Sequence, residues 1–317
     1  MTALRGAPGP ADRAPNRRLR PWLVVGGIAV GIAVGVAIDV ARSGGLDTWL
    51  ASRGMSPPYD ARGSTVDIDG AAVYLDCRGA GSPTVILETG FGGGAGGWGS
   101  ILDGVAQTTR VCAWDRPGIG RSEARPLRSG GETARILRAA LTAARESGPF
   151  VVVGHSLGGV YGRLFAAAPS TGAVGEPAGD VLAFVMIDTF EPDLGLDRDP
   201  ALPDHLRENV RQAIDDTGAM IQGAESLDWA ATMAELAALG PVEQTGISLW
   251  VDPNLRFGEP DPDDKAAIIA AWYRGVAARY PNMTVEIVPN TGHLIQLERP
   301  SLVIDRIRSV VLRVRTP

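Results

Sequence analysis

The stretch of sequence that decides the fold lies near the middle of the chain. It reads Phe150-Val151-Val152-Val153-Gly154-His155-Ser156-Leu157-Gly158-Gly159. The apolar, largely β-branched run at its start predicts a buried strand, and the residues from Gly159 to Ala168 predict a helix that follows at once. Ser156 thus falls on a sharp strand-to-helix turn. Such a turn needs glycine two positions before and two positions after the serine, where a side chain would collide.

The G-x-S-x-G pattern of this turn is weak evidence when taken alone. Glycine accounts for 41 of the 317 residues, so the pattern could arise by chance in this chain. The strand before it and the helix after it make the pattern informative. The rest of the sequence must therefore supply a fold in which such a turn has a place.

Short apolar runs alternate with helical stretches along most of the chain. Continuous apolar strands fit a sheet buried on both faces, and their alternation with helices predicts an α/β fold. We predict a mostly parallel sheet of eight strands at Ser64–Ile68, Ala72–Cys77, Thr84–Glu88, Val111–Trp114, Phe150–Val153, Val181–Ile187, Ile247–Val251 and Thr284–Val288. Flanking helices are predicted at Gly97–Gln107, Glu132–Glu146, Leu157–Ala168, Asp263–Tyr280 and Ser301–Val314.

One stretch, at about residues 190–246, breaks this alternation. It lies between the sixth and seventh predicted strands and is too long for a single crossover helix. Its pattern predicts helices at about Asp204–Thr217 and Ser226–Leu239. We interpret it as a helical cap inserted after strand 6, over the ends of the strands.

The N-terminal region differs in composition from the rest. Residues 1–20 are a basic leader, and residues 21–41 include an uncharged apolar run that predicts a transmembrane anchor with a cytoplasmic N-terminus. A cleaved signal peptide is the alternative, with cleavage after Ala37. Residues 42–63 are predicted to be a linker and residues 64–317 a catalytic domain. Either way we expect that domain outside the cytoplasm, held at the cell membrane or secreted.

The overall composition excludes several classes of protein. A net charge of −6 argues against a nucleic-acid binder that works through a basic surface. A hydrophobic fraction of 45% with 21% charged residues is ordinary for a globular domain. The single long apolar run excludes a polytopic membrane protein. The sequence contains no phosphate-binding loop and no spacing typical of a metal site, so we expect no cofactor and no metal.

Two further motifs join the serine turn. Glu88-Thr89-Gly90-Phe91-Gly92 follows the third strand, and Asp115-Arg116-Pro117-Gly118-Ile119-Gly120-Arg121-Ser122 follows the fourth. His293 lies in a loop after the last strand and before the last helix. From about Ser64 to Val314, these motifs and their order resemble the α/β-hydrolase fold family.

The resemblance implies a role for each matching residue. Ser156 would be the nucleophile and His293 the general base, and the backbone N–H groups of Phe91 and Leu157 would form the oxyanion hole. His155, inside the turn, is expected to point away from the nucleophile. The Asp115–Ser122 turn is interpreted as structural.

The acid of the triad stays open. The family usually places it after the strand that follows the cap, but Asn254 occupies that position here. Asp188, at the end of the sixth strand, matches the position that a minority of the family uses. Asp252 is the alternative acid. The correct residue must reach His293 Nδ1.

The resemblance predicts a serine hydrolase that cleaves an ester-like carboxylic substrate through an acyl-enzyme intermediate. The Leu, Met and Ala content of the cap suggests that the small-molecule substrate has an apolar part. Amide, peptide or C–C bond hydrolysis, cofactor-free perhydrolysis and a catalytically inactive, membrane-tethered binding module remain alternatives. The resemblance also implies that the strands carrying Cys77 and Cys112 are neighbours in the sheet. We therefore expect the two cysteines to form either a disulfide or two buried thiols.

Overall fold

The structure of the protein is a computed structural model that describes residues 60–168, 180–257 and 261–315. The predicted leader at 1–20, the anchor or signal segment at 21–41 and most of the linker at 42–63 lie outside the described residues. Among the helices that are described, none combines the length and the apolarity needed to cross a membrane.

The described residues form one sheet of eight strands. The strand order is β1-β2-β4-β3-β5-β6-β7-β8. The β1–β2 and β2–β4 pairs are antiparallel and all the other pairs are parallel. The strands are β1 Ser64–Ile68, β2 Ala71–Arg78, β3 Thr84–Glu88, β4 Val111–Trp114, β5 Phe150–His155, β6 Val181–Ile187, β7 Thr245–Val251 and β8 Met283–Val288. This confirms the predicted α/β fold and its mostly parallel sheet.

Nine α-helices complete the described part of the fold. They are α1 Gly99–Ala106, α2 Gly130–Ala143, α3 Gly158–Ala167, α4 Asp204–Glu225, α5 Trp229–Ala238, α6 Pro253–Arg256, α7 Pro262–Arg279, α8 Ile295–Glu298 and α9 Pro300–Arg315. Helix α2 begins earlier than the predicted Glu132 because Ser129 caps it. Glu132 N donates to Ser129 Oγ at 3.1 Å, and Ser129 N donates to Glu132 Oε2 at 2.7 Å, which is a capping box.

The sheet is buried on both faces, as its continuous apolar strands predict. Alternate residues of β3 belong to different cores: Val85 and Leu87 pack with α1 and α9, whereas Ile86 packs with α2, α3 and α7. The helices on both faces fix the carboxyl edge of the parallel strands, where the loops after β3, β5, β6 and β8 meet.

The residues between β6 and β7, called the helical insertion below, form α4 and α5. Helix α4 extends to Glu225, beyond the predicted end at Thr217. The reason is tertiary packing: Gly218 lies so close to the Trp229 indole that a Cβ would overlap it, and Ile221 is buried. A glycine that looks like a helix breaker in the sequence is thus the point where α4 meets α5.

Cys77 and Cys112 lie directly opposite each other in the register of β2 and β4. They form a disulfide in the structure. Of the two states left open by the sequence, the structure therefore has the disulfide.

Candidate active site

Ser156 lies between β5 and α3 with a left-handed backbone, φ +51°. The turn is tight: a Cβ on Gly154 would lie 2.8 Å from Gly158 O, and a Cβ on Gly158 would overlap Glu88 O. Both glycines are therefore required by close backbone approach, as the motif predicts. The strained turn leaves the Ser156 side chain partly accessible at the carboxyl edge of the sheet.

His293 and Asp188 are hydrogen-bonded although 105 residues separate them. His293 Nδ1 lies 2.6 Å from Asp188 Oδ2, so Nδ1 is the donor of this pair and Nε2 is the acceptor atom of the neutral ring. The Asp188 side chain is buried, whereas that of His293 is 51% exposed. The geometry required of a triad acid is met by Asp188.

The second oxygen of Asp188 has its own donors. Arg256, from α6, donates to Asp188 Oδ1, and Val251 N lies 3.4 Å from the same oxygen. Burial alone would raise the pKa of Asp188, but the Arg256 guanidinium and His293 outweigh it and hold the pKa below its usual value. One oxygen of the Asp188 carboxylate is thus bound by a permanent cation, and the other is bound by an imidazole. Sequence reasoning missed Arg256, because its partner lies 68 residues away.

Asp252, the alternative acid, is occupied elsewhere. Its Oδ1 accepts from Asn254 N at 2.8 Å and from Asn254 Nδ2 at 3.0 Å, and it is the N-cap of α6. Asn254, at the family's usual acid position, belongs to the same short helix and is exposed. The loop after β7 therefore brings a cation, Arg256, to Asp188.

His155 is buried, but its ring packs against the site. The ring centroids of His155 and His293 are 4.7 Å apart, and His155 Nε2 donates to His293 O at 3.0 Å. Burial, with repulsion from His293, lowers the pKa of His155 to about 3, so this ring stays neutral. Within the described chain, the side-chain hydrogen bonds of His293 reach Asp188 but not Ser156 Oγ. Such contacts often form only with substrate bound.

The two backbone groups predicted for the oxyanion hole lie on adjacent segments. A Cβ on Gly90 would lie 3.1 Å from Ser156 Cβ, which places the loop of Phe91 beside the serine. Among the described residues, neither Phe91 N nor Leu157 N donates to a protein acceptor, whereas Gly92 N donates to Glu225 Oε1 at 2.7 Å. The N–H groups of Phe91 and Leu157 are thus both without a protein acceptor in the part of the chain that the structure describes.

A buried ionic cluster that the sequence did not reveal lies behind this loop. Arg116, Glu225, Tyr161 and Glu88 are all buried there. Burial raises the pKa of Glu88 to about 7, against the attraction of Arg116.

One grouping of possible metal ligands occurs in the described residues, Cys77 and Cys112 with Glu146, but its sulfurs form the disulfide and offer no thiolate.

Curated proteins are similar to parts of this chain. The chain is 30% identical over 130 residues to the uncharacterized protein YqjL of Bacillus subtilis, which covers 39% of this chain and 51% of YqjL. It spans between 11% and 51% of the length of the curated relatives it matches.

Solved structures share the fold at low sequence identity. The Cif epoxide hydrolase of Acinetobacter nosocomialis superposes with a TM-score of 0.56 at 16% identity, over 85% of this chain and 95% of that one. A thermophilic esterase from Thermogutta terrifontis has a TM-score of 0.51 at 19% identity, over 81% and 100% of the two chains. The model of the alpha/beta hydrolase family matches residues 85–306. This chain therefore belongs to the alpha/beta hydrolase family.

Proposed function

We propose that the protein is a serine hydrolase that cleaves an ester-like carboxylic substrate through an acyl-enzyme intermediate. The observation that carries the proposal is the pairing of Asp188 Oδ2 with His293 Nδ1 at 2.6 Å, at the sheet edge where the strained Ser156 turn ends. A buried carboxylate that fixes one ring nitrogen leaves the other free to accept a proton. That is the requirement for activating a serine hydroxyl.

The proposed reaction uses each of these groups once. His293 Nε2 accepts the Ser156 proton while Ser156 Oγ attacks the substrate carbonyl, and Asp188 stabilises the resulting imidazolium. The Phe91 and Leu157 N–H groups donate to the oxyanion, beside the N-terminus of α3. His293 then protonates the leaving alcohol. A water molecule deprotonated by His293 releases the acid and regenerates Ser156.

A serine at position 156 favours acyl transfer over epoxide opening. Enzymes of this fold that open epoxides attack with an aspartate, and this chain has no carboxylate in the turn. The likeness to epoxide hydrolases is thus a likeness of fold. An acyl carbonyl, which can take its negative charge into the oxyanion hole, suits the groups present.

We propose that the helical insertion caps the site and contributes an apolar surface. Phe190, where the insertion begins, donates its N–H to Ser156 O at 2.9 Å, so its ring starts next to the nucleophile. The rings of Phe190 and Trp229 are stacked with centroids 6.0 Å apart. Phe91, in the loop beside Ser156, is also only partly buried. These aromatic groups support a substrate with an apolar acyl or alcohol part.

The test is Ser156→Ala in the full chain, compared with wild type on p-nitrophenyl esters of increasing acyl length. We expect the variant to lose turnover and to lose labelling by a fluorophosphonate while keeping its melting temperature. Matched amides and a C–C hydrolase substrate in the same panel identify the bond that is cleaved. A wild-type protein that resists the probe would instead indicate an inactive binding module.

We further propose that residues 21–41 hold the protein at the cell membrane with the catalytic domain outside the cytoplasm. The Cys77–Cys112 disulfide supports export, because cytosolic thiols are kept reduced. Protease added to intact cells that express the full chain should digest the domain. A cleaved signal peptide would release it into the medium, and a protected domain would contradict export altogether.

A further inference from the structure

The segment Thr89–Gly93, called the oxyanion loop below, is held from behind by a buried arginine. Arg116 is 1% exposed. Its Nη1 donates to Thr89 O at 2.7 Å and its Nη2 donates to Gly90 O at 2.8 Å. One guanidinium therefore fixes two successive carbonyl groups of the loop.

Glu225, the last residue of α4, completes this arrangement from the helical insertion. Its Oε1 accepts from Arg116 Nη2 at 2.9 Å and from Gly92 N at 2.7 Å. Its Oε2 accepts from Arg116 Nε at 3.1 Å and from Tyr161 OH at 3.1 Å. The carboxylate is thus bound by a bidentate guanidinium, a phenol and a loop amide, with almost no access to water.

The peptide planes on either side of Phe91 are the ones that these contacts fix. Gly90 C=O and Phe91 N–H belong to one planar trans peptide and point in opposite directions. When Arg116 binds Gly90 O, the Phe91 N–H must point away from Arg116. Glu225 fixes the next plane through Gly92 N. The orientation of the Phe91 N–H is therefore set by two residues that are buried behind the loop.

We propose that Arg116 and Glu225 are positioning residues that orient the Phe91 N–H for the oxyanion, and that they couple the helical insertion to the oxyanion hole. The inference rests on the proposed serine hydrolase function. The loop needs such support because it is rich in glycine, including Gly92 at φ +66°, and has few side chains to hold it. Two charges are held in a site where each alone would be costly to bury.

The chain offers a matched control on another part of the insertion. Glu191 accepts from Arg163 Nη1 at 3.0 Å and from Tyr280 OH. It is a buried carboxylate bound by an arginine and a tyrosine, as Glu225 is. It has no hydrogen bond to the oxyanion loop among the described residues. Glu191→Gln therefore removes one buried carboxylate from an arginine without touching the loop, and Arg163 keeps its second partner, Asp193, at 2.8 Å.

The experiment compares Glu225→Gln, Arg116→Lys and Glu191→Gln with wild type on one p-nitrophenyl ester. A hydrogen bond made only in the transition state lowers kcat and leaves KM nearly constant. We expect Glu225→Gln and Arg116→Lys to lower kcat about 10- to 100-fold, with KM changed by less than about threefold. We expect Glu191→Gln to lose thermal stability while keeping kcat within about threefold of wild type.

A second measurement separates positioning from general damage. A trifluoromethyl ketone forms a tetrahedral oxyanion on the serine, so its affinity should fall in proportion to kcat in the two loop variants. Tyr161→Phe removes only one hydroxyl from Glu225, and we expect a kcat decrease of about two- to fivefold in a protein that folds normally.

Specific outcomes would overturn the inference. Equal kcat losses in Glu225→Gln and Glu191→Gln would indicate that the ion pairs only hold the insertion in place. A change confined to the KM of the loop variants would lead to the same conclusion. If the loop variants fold too poorly to assay, a wild-type kcat in Tyr161→Phe would also refute it. A wild-type enzyme without esterase turnover overturns the proposed function as well, whereas an active wild type with an equally active Glu225→Gln variant overturns this inference alone.

Discussion

Replacing Asp188 by asparagine tests the assignment of the acid, and the structure fixes how the new amide must lie. Arg256 and Val251 N are both donors on the Oδ1 side of Asp188. The asparagine side chain of the Asp188→Asn variant must therefore keep its carbonyl oxygen on that side, because the reverse orientation sets donors against donors. Its NH2 group then faces His293 Nδ1.

That orientation forces the wrong tautomer on His293. Nδ1 has to accept from the amide, so the ring proton moves to Nε2, the atom that should accept the Ser156 proton. A triad Asp→Asn change of this kind lowers kcat by about 10⁴. Since each factor of ten equals about 1.4 kcal/mol, we expect a loss of about 4–5.5 kcal/mol of transition-state stabilisation, or about 10³- to 10⁴-fold in kcat.

The assay is p-nitrophenyl ester turnover at neutral pH, together with the rate of fluorophosphonate labelling and the melting temperature. Asp252→Asn is the matched control, since asparagine caps a helix as well as aspartate does and the side chain of Asp252 binds Asn254 at the start of α6. We expect that control to keep kcat within about twofold. A kcat of Asp188→Asn within tenfold of wild type, or an equal loss in Asp252→Asn, would refute the reasoning.

Three further predictions concern the fold that carries the site. Gly158→Ala should abolish fluorophosphonate labelling and destabilise the protein by more than about 2 kcal/mol, because the added Cβ would overlap Glu88 O. Gly223→Ala is the control, because a Cβ there meets nothing within 4 Å, and it should be neutral or stabilising in chemical denaturation. Glu88 has a folded pKa of about 7, above its unfolded value of 4.5, so the folded protein holds a proton that the unfolded chain releases. Stability should therefore decrease between about pH 4.5 and 7, by up to about 3 kcal/mol relative to Glu88→Gln; parallel stability curves for the two proteins would contradict this. Reducing the disulfide, which closes a loop between residues 35 apart, should lower the free energy of unfolding by about 4 kcal/mol, and a double Cys→Ala variant should then be insensitive to reductant.

The sequence predicts the strands well because their signal is local. Val85, Ile86 and Leu87 are all apolar, because a strand that is buried on both faces needs an apolar residue at every position. The continuous apolar run in the sequence therefore predicts the strand directly. The end of α4 could not be predicted in this way. Gly218 discourages a helix by its own propensity, and only the Trp229 ring packed against it explains why the helix continues. Local propensity is overridden there by a contact made after the chain turns back.

The candidate site divides along the same line. Ser156 and His293 are identified by short motifs, because the turn and the loop that present them are local structures. Asp188 and Asp252 cannot be ranked by motif, since what distinguishes them is a hydrogen bond to His293, 105 residues from Asp188. The role of Arg116 is harder to predict from the sequence. The motif that contains it is already explained as a structural turn, and its partner Glu225 lies 109 residues further along the chain.

The loop after β7 shows why the position of the acid has consequences for its neighbours. In this chain that loop contributes Arg256 to Asp188, so an acid at the end of β6 and a cation from the next loop are parts of one arrangement. Asp188 Oδ1 is already neutralised by Arg256, while Oδ2 remains for His293. Under the proposed function, an acid at the end of β6 thus binds a cation from the segment after β7, where the family usually places the acid itself.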